Sequence, residues 1–337
     1  MRLDRTRGKD ATGMGRKLSW SRLVVLVMLW GFGICPAVAA DYPNRPIRVV
    51  VPWPPGGPTD AVARVLSQEI SETLGQPIVI DNKAGATGIL GSDFVAKSPP
   101  DGYTIVVAGT ASHSLAKIAN ARLPYDPLKD FRPIVEYGRY PVGIFVGNLL
   151  PITNISEFVA QSKSAKSGLS IGLPGVGSVS HLYAQLLASK TGAKLTFVPY
   201  RGDAPARLDL LAGNIHGIAS TPDFGLIADG KARLIGSTGT SRWPQTPDVP
   251  TLAEAGFPEL VGFIVWGFAA PAGTPDDVVK IFNEATNKAL RSERVKRIMV
   301  DNAYFVTGGT SDALWAVFTK QILEFGEVVR SGAVKFE

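Results

Sequence analysis

Four short segments of this 337-residue chain combine glycine with serine, threonine or proline, a composition suited to binding an anion. Each is predicted to follow a strand and to lead into a helix. The free N–H groups of a first helical turn and the helix dipole attract negative charge, and each hydrogen bond to a charged group contributes about 1.5–3 kcal/mol. We therefore predict a shared carboxylate site, although any single loop could be an ordinary turn. The segments are Pro54–Asp60, Ala84–Gly88, Gly109–Ser112 and Gly175–Ser178.

Four side chains in or near these loops could add to the site, and each has a plain structural alternative. Asp60 could accept a hydrogen bond from the ligand or order a water, or it could simply favour the start of a helix. Trp53 could flank a ligand or pack on its own domain. His181, three residues after Ser178, could be an ordinary residue of a first helical turn. Arg201 is the cation that we expect nearest to the ligand, although exposed arginines are common.

No common catalytic or nucleotide-binding motif occurs in the sequence, including HExxH, Walker A, GxSxG and SxxK. The three histidines, His113, His181 and His216, lack the spacing of metal ligands, so no metal or cofactor is predicted. A serine and a histidine brought together in space stay an open alternative, because catalytic triads assemble from residues distant in sequence.

The first 40 residues have the features of an export signal. They hold seven of the 35 basic residues and two of the 29 acidic ones, so the rest of the chain is nearly neutral and does not favour nucleic acid. A 12-residue apolar run, 23–34, is too short to span a bilayer. Small residues follow it and predict cleavage after Ala39 or Ala40. A start at Met14 instead of Met1 would give a more ordinary leader, and an uncleaved anchor is the alternative.

The single cysteine, Cys35, lies in this leader. Ile34 stands before it, where a lipoprotein signal needs a small residue, so lipidation is not predicted. Cleavage would leave a mature chain without a thiol, which excludes disulfides and thiolate chemistry. We expect a soluble, periplasmic protein.

From residue 46 onward, short β-branched runs alternate with helical patterns, which indicates an α/β protein with a mostly parallel sheet covered on both faces. The alternation restarts after Pro151 and predicts two lobes with a cleft between them. The predicted strands are 47–51, 78–80, 103–108, 169–173, 195–198, 215–219 and 234–237. The predicted helices are 62–74, a short one ending near 97, 179–191, 204–212 and 312–330.

Several motifs follow one another through nearly the whole mature chain. They include Val51-Pro-x-x-Pro-Gly-Gly-Pro-Thr-Asp60, Asn82-Lys-Ala-Gly-Ala-Thr-Gly88, Gly175-x-Gly-Ser-x-x-His181, Val198-Pro-Tyr-Arg-Gly202 and Pro247-Asp-Val-Pro-Thr-Leu-Ala-Glu-Ala-Gly256. In these motifs the sequence resembles the extracytoplasmic solute-binding proteins of tripartite tricarboxylate transporters, the Bug family. Arg201 stands where the family usually has lysine, Thr87 replaces a frequent glycine, and residues 110–113 match no family pattern.

The resemblance implies an α/β, two-lobed periplasmic-binding-protein fold (type II, Venus flytrap) with two crossover segments and no catalysis. The expected division is a signal peptide over 1–40, a first lobe over 41–140 and 268–337, and a second lobe over 141–267.

The resemblance also implies that backbone groups, hydroxyls and ordered waters from the loops after the first strands hold a ligand carboxylate, with Gly177 and Ser178 contributing from the second lobe. The contacts of the loop at 109–113 stay open. The candidate binding residues are Trp53, Pro54, Gly57, Thr59, Asp60, Ala86, Thr87, Gly88, Thr110, Gly177, Ser178, His181 and Arg201.

The predicted function is capture of a small organic acid and its delivery to the integral-membrane permease subunits of a tripartite transporter, by a monomer. Two alternatives stay open: an exported sensor that docks on a membrane signalling protein, and an exported hydrolase that uses a serine and a histidine. The sequence leaves open whether the ligand is a di- or tricarboxylate, an amino acid, an aromatic acid or a neutral analogue.

Overall fold

The computed structural model describes residues 42–120, 122–332 and 334, and the predicted leader lies outside this part of the chain. None of the helices in those ranges is both long and apolar enough to cross a membrane. In chain order the strands are β1 (Ile47–Val51), β2 (Ile78–Asn82), β3 (Thr104–Gly109), β4 (Phe131–Tyr140), β5 (Gly143–Gly147), β6 (Leu169–Leu173), β7 (Leu195–Pro199), β8 (Gly217–Ser220), β9 (Ala232–Ser237), β10 (Ile264–Pro271) and β11 (Phe305–Val306).

Helices cover the faces of the sheets and follow most strands. They are α1 (Pro58–Leu74), α2 (Ile89–Ala96), α3 (Ala116–Ala119), α4 (Ile155–Ser164), α5 (Val179–Thr191), α6 (Asp203–Leu211), α7 (Phe224–Ala228), α8 (Asp276–Ala289), α9 (Glu293–Asp301) and α10 (Ser311–Arg330). A 3-10 turn, Ala86–Gly88, precedes α2, a second one, Pro258–Leu260, precedes β10, and a π-helical turn, Thr110–Leu115, precedes α3.

Helix α1 shows how the local sequence sets an element. Pro58 lies in its first turn, where a missing N–H costs nothing, while Val62 and Ile70 lie on one fully buried face. The helix ends at Gly75, whose φ of 67° lies in the left-handed region that glycine adopts without strain, and the Gly75 N–H donates to the Ser71 carbonyl. The sequence predicted this ending correctly.

The strands form two sheets, ordered β11-β4-β10-β3-β1-β2 and β7-β6-β8-β5-β9. The prediction of mostly parallel sheets is wrong. Among the described strands, β1 pairs in parallel with β2 and β3, and β6 with β7 and β8, whereas the other five pairings are antiparallel.

Two crossovers explain this mixture. The chain leaves the first sheet at the end of β4 and enters the second at the start of β5; it leaves the second at the end of β9 and re-enters the first at the start of β10. An entering strand begins at the edge where its neighbours end, so it must run antiparallel to them. Because β10 begins at Ile264, the lobe boundary that we expected at residue 268 lies inside a strand of the first sheet. The division into lobes otherwise stays a prediction.

Candidate ligand-binding cleft

The carboxyl ends of the βα strands in both sheets lie at the crossovers. In the first sheet, Gly109 at the end of β3 pairs with Trp266 near the start of β10, and Tyr140 at the end of β4 pairs with Ile264. In the second sheet, Ser220 at the end of β8 pairs with the first residue of β5. The loops after β1, β2, β3, β6 and β7 therefore all emerge at the edges that the crossovers join. Ligands in open α/β sheets bind outside such edges.

Asp60 organises the first loop. Its carboxylate accepts hydrogen bonds from the Gly56 N–H (3.0 Å), the Arg64 Nε (2.8 Å) and the Asn82 Nδ2 (2.9 Å), which together use both oxygens. Burial alone would raise the pKa of Asp60, but these hydrogen bonds and the Arg64 charge hold it below its usual value. Asn82 also donates to the Trp53 carbonyl (3.1 Å), so one network fixes both sides of the loop. The structure thus gives Asp60 a structural role, and its predicted contact with a ligand stays untested.

The second loop is a strained turn. Four successive residues, Gly85 to Gly88, have positive φ angles, and two of them, Ala86 (47°) and Thr87 (54°), are not glycine. Such a conformation costs roughly 1 kcal/mol or more at a non-glycine residue, and it persists where surrounding structure imposes it, often at ligand sites. The side chains of Ala86 and Thr87 are exposed, whereas Gly88 is buried.

Three of the four predicted loops meet around Gly88. A Cβ atom at this position would lie 3.0 Å from the Trp53 ring and 3.2 Å from the Ser112 Cβ, so the first and third loops close on the second. Trp53 in turn packs edge-on against Trp266, with ring centroids 4.4 Å apart. Only glycine allows this approach, which explains its presence in the motif.

Thr110 begins the π-helical turn after β3. Its side chain is fully buried, and its hydroxyl accepts a hydrogen bond from the Val265 N–H at 2.8 Å. This hydroxyl is therefore engaged by the start of β10, and its predicted contact with a ligand stays untested. The backbone turn that Thr110 begins contacts α5 of the second sheet.

The fourth loop caps helix α5. The Ser178 hydroxyl accepts a hydrogen bond from the His181 N–H (3.1 Å), and the Gly177 N–H donates to the His181 Nδ1 (3.2 Å). Because Nδ1 accepts, the proton of a neutral ring lies on Nε2, which faces the Gln185 amide. Burial lowers the pKa of His181 and favours this neutral form. The Ser178 hydroxyl still has its own proton to donate.

The remaining candidates differ in exposure. Gly57 is the N-cap of α1 and Pro54 is exposed beside it. Thr59 is buried, and its hydroxyl lies near that of Tyr304. Arg201 is exposed and forms no hydrogen bond or ion pair with any residue that the structure describes, so its side chain is available to a ligand.

Sequence reasoning missed an aromatic group at the floor of the cleft, formed by Tyr140, Trp266 and Tyr304. The Tyr140 ring lies 4.9 Å from that of Tyr304 and 6.4 Å from that of Trp266. The Trp266 Nε1 and the Tyr304 hydroxyl are buried, and no group in the described part of the chain meets hydrogen-bond geometry with either. Burial raises the pKa of Tyr140 to about 12. Tyr140 ends β4, Trp266 lies in β10 and Tyr304 precedes β11, so the three residues are far apart in the sequence and no local motif predicts that they meet.

The structure contains serine–histidine contacts, but none resembles a catalytic triad. Ser112 bonds the Nδ1 of His113 at 2.9 Å, yet both side chains are fully buried, and burial lowers the pKa of His113 to about 3. Ser170 bonds His216 at 2.7 Å near the amino end of β6, at the edge opposite the cleft. No carboxylate in the described ranges bonds either ring, and no group of three or more possible metal ligands occurs there.

The sequence matches a known protein family. Residues 62–331 match the family described as "Tripartite tricarboxylate transporter family receptor". The protein BugT of Bordetella pertussis is 32% identical over 320 residues, which cover 93% of this chain and 98% of BugT.

Two solved structures are similar over nearly their whole length. The periplasmic binding protein BugD has a TM-score of 0.79 and 32% identity, covering 87% of this chain and 99% of BugD. MatC from Rhodopseudomonas palustris, solved with bound malate, has a TM-score of 0.78 and 33% identity, covering 86% of this chain and 100% of MatC. The chain therefore belongs to the tripartite tricarboxylate transporter receptors, the family of the Bug solute-binding proteins.

Proposed function

We propose that this protein captures a small carboxylate between its two lobes in the periplasm and delivers it to the integral-membrane subunits of a tripartite transporter. The observation that carries the proposal is the meeting of Trp53, Gly88 and Ser112 from three loops at the crossover edge, with a buried floor that offers unpartnered donors. The malate in the related MatC structure supports the ligand class. Delivery to a permease follows from the family description alone.

A binding role rather than catalysis fits the side chains at the cleft. Ser178 receives a hydrogen bond from the backbone of His181 and not from its ring, so the ring does not activate this serine as a nucleophile. Binding through backbone N–H groups, hydroxyls and an indole N–H needs no titrating group.

The test of binding is calorimetry on the mature chain with a panel of small acids that includes malate, succinate, glutarate and the common amino acids. We expect at least one to bind, and a bound acid at one hundred times its dissociation constant should stabilise the protein by about 2.7 kcal/mol. Failure of every acid in the panel to bind would overturn the proposal.

A matched pair of helix caps tests the site. Ser178 and Asn154 are both N-caps in the second sheet's domain, and each accepts a hydrogen bond from the backbone three residues on. Ser178→Ala and Asn154→Ala should each cost about 1 kcal/mol of stability through the lost cap. Only Ser178→Ala should also weaken binding of the acid, by roughly 5- to 30-fold, because α4 begins at the edge away from the cleft. Equal affinities in the two variants would remove Ser178 from the site.

Export is tested by the mass of the protein recovered from the periplasm. Cleavage after Ala39 or Ala40 predicts a mature chain that lacks Cys35 and does not react with a thiol reagent. A periplasmic protein that retains Cys35 would contradict the proposed cleavage.

A further inference from the structure

Asp203 is a carboxylate at the crossover edge of the second sheet. It is the first residue of α6, in the loop that follows β7, and it is half-buried. The hydroxyl of Ser220, the last residue of β8, donates a hydrogen bond to the Asp203 Oδ1. Ser220 pairs with Gly143, the first residue of β5, which follows the crossover from Tyr140 at the end of β4, so Asp203 lies at the edge that the crossover joins to the first sheet.

No cation of the described chain satisfies this carboxylate. Arg207 lies one helical turn further on, but its guanidinium is committed to the Asp223 carboxylate (3.1 Å) and the Thr221 carbonyl (3.1 Å). The Asp203 Oδ2 accepts no hydrogen bond within the described ranges. Burial raises the pKa of Asp203, although the Ser220 hydroxyl and the Arg207 charge partly offset it. A carboxylate desolvated without a partner is unfavourable unless something else pairs with it.

The aromatic floor, which belongs to the first lobe, has complementary chemistry. The Trp266 Nε1 can only donate, and the Tyr304 hydroxyl can donate. Both are buried, with Trp266 4% exposed and Tyr304 3% exposed, and neither meets hydrogen-bond geometry with a group of the described chain, the nearest hydroxyls being those of Tyr140 and Thr59. Buried donors without partners call for acceptor oxygens from a ligand or a water. The rings of Tyr140 and Trp53 pack against that of Trp266, and the π face of an aromatic ring attracts a cation.

We propose that the ligand of this cleft carries an ammonium group that pairs with Asp203, with its carboxylate directed to the donors of the first lobe, so that the protein selects an amino acid over the corresponding plain acid. This inference rests on the proposed function of carboxylate capture and names the substrate class. Asp203 is its specificity-determining residue. A protonated Asp203 that donates to a second ligand carboxylate is the competing arrangement, and the test separates the two.

The experiment measures affinities of matched acids by calorimetry at pH 7.5. The pairs are L-aspartate with succinate, L-glutamate with glutarate, and 4-aminobutyrate with butyrate, which differ by the ammonium group. We expect the amino member of at least one pair to bind at least tenfold more tightly than its partner. Asp203→Asn should weaken the binding of that amino acid 10- to 100-fold and should change the affinity for the plain acid by no more than about threefold. Asp229→Asn, which changes an exposed carboxylate of the same lobe, is the control and should change neither affinity.

The outcomes are distinct. Binding of plain acids as tightly as of their amino partners would overturn the inference and leave the proposed function intact. Tighter binding of a plain diacid by Asp203→Asn would also overturn it, because asparagine mimics a protonated aspartate that donates to a carboxylate. If none of the six acids binds the wild-type protein, the inference is overturned for these ligand classes, and the wider acid panel then decides the proposed function. A melting temperature for each variant within a few degrees of wild type shows that the affinities describe folded protein.

Discussion

Two buried polar groups of the first lobe differ in how they are satisfied. The Asp60 network is complete: both carboxylate oxygens, the Asn82 amide and the Trp53 carbonyl have protein partners at 2.8–3.1 Å. The aromatic floor is incomplete, because the Trp266 Nε1 and the Tyr304 hydroxyl are equally buried and have no partner in the described chain. Both groups lie at the same edge of the same sheet.

This difference in hydrogen bonding indicates which group supports the loop and which can bind a ligand. A complete network rigidifies its surroundings and offers nothing to a ligand, whereas an unpaired buried donor costs about 1–3 kcal/mol until something pairs with it. Binding can recover that cost. The Asp60 network thus holds the loop in position, and the floor is where a ligand gains affinity.

The largest effect should come from breaking the complete network. Asp60→Ala leaves the Gly56 N–H without its acceptor and the Asn82 amide with one of its two acceptors. We expect the free energy of unfolding to fall by about 2–4 kcal/mol, measured by chemical denaturation. Asp229→Ala, which removes an exposed ion pair with Lys231, is the control and should change little. An unchanged melting temperature with a large loss of affinity would instead mean that Asp60 acts on the ligand.

A second buried group tests whether an unpaired atom alone marks a site. His113 is fully buried between Phe131 and Phe318, its Nε2 has no described partner, and burial lowers its pKa to about 3. The unfolded chain takes up a proton near pH 6.5 while the folded one does not, so stability falls as pH drops from 6.5 toward 3. We expect a loss of about 2–3 kcal/mol by pH 4.5 from this group.

His113→Leu is the variant that isolates this contribution. Its stability should decline less steeply than that of the wild type between pH 6.5 and 4.5, with ligand affinity unchanged at pH 7.5, because His113 belongs to the core and not to the cleft. The free energy of unfolding of each protein is measured by denaturation at each pH. If it falls equally steeply for the two proteins between pH 6.5 and 4.5, His113 is protonated in the native state.

The smallest effect on stability should come from removing a tyrosine hydroxyl, which can be done at Tyr125 and at Tyr304. Tyr125→Phe removes a hydroxyl that donates to the Ser112 carbonyl at 2.7 Å, and we expect it to cost about 1–2 kcal/mol. Tyr304→Phe removes a hydroxyl without a described partner, so stability should stay the same or rise slightly while the bound acid is held severalfold more weakly. Equal losses of stability in the two variants would show that the Tyr304 hydroxyl has a hydrogen-bond partner in the folded protein. The aromatic floor would then not differ from the Asp60 network.

The sequence alone was sufficient for features that depend on neighbouring residues. Strand β6 and helix α5 occur at the predicted residues, 169–173 and 179–191. The strand is a short, mostly apolar run that ends before Pro174, and the helix is an apolar pattern of helical spacing that ends at Gly192. The glycine-rich segments lie between strands and helices as expected, but residues 58–60 already belong to α1 and residues 110–112 to the π-helical turn. Family membership followed from the same local motifs and is confirmed by the comparisons.

Tertiary structure decided what depends on residues far apart in the chain. Strands β4, β5 and β10 were missed, and their antiparallel direction follows from the two crossovers rather than from any local pattern. Thr110 became a core residue through a hydrogen bond to Val265, 155 residues away, which a loop motif cannot encode. The aromatic floor and the Asp203–Ser220 contact arise in the same way. Local sequence fixes backbone conformation through short-range sterics and hydrogen bonds, whereas the partners of a buried side chain are set by which strands the crossovers bring together.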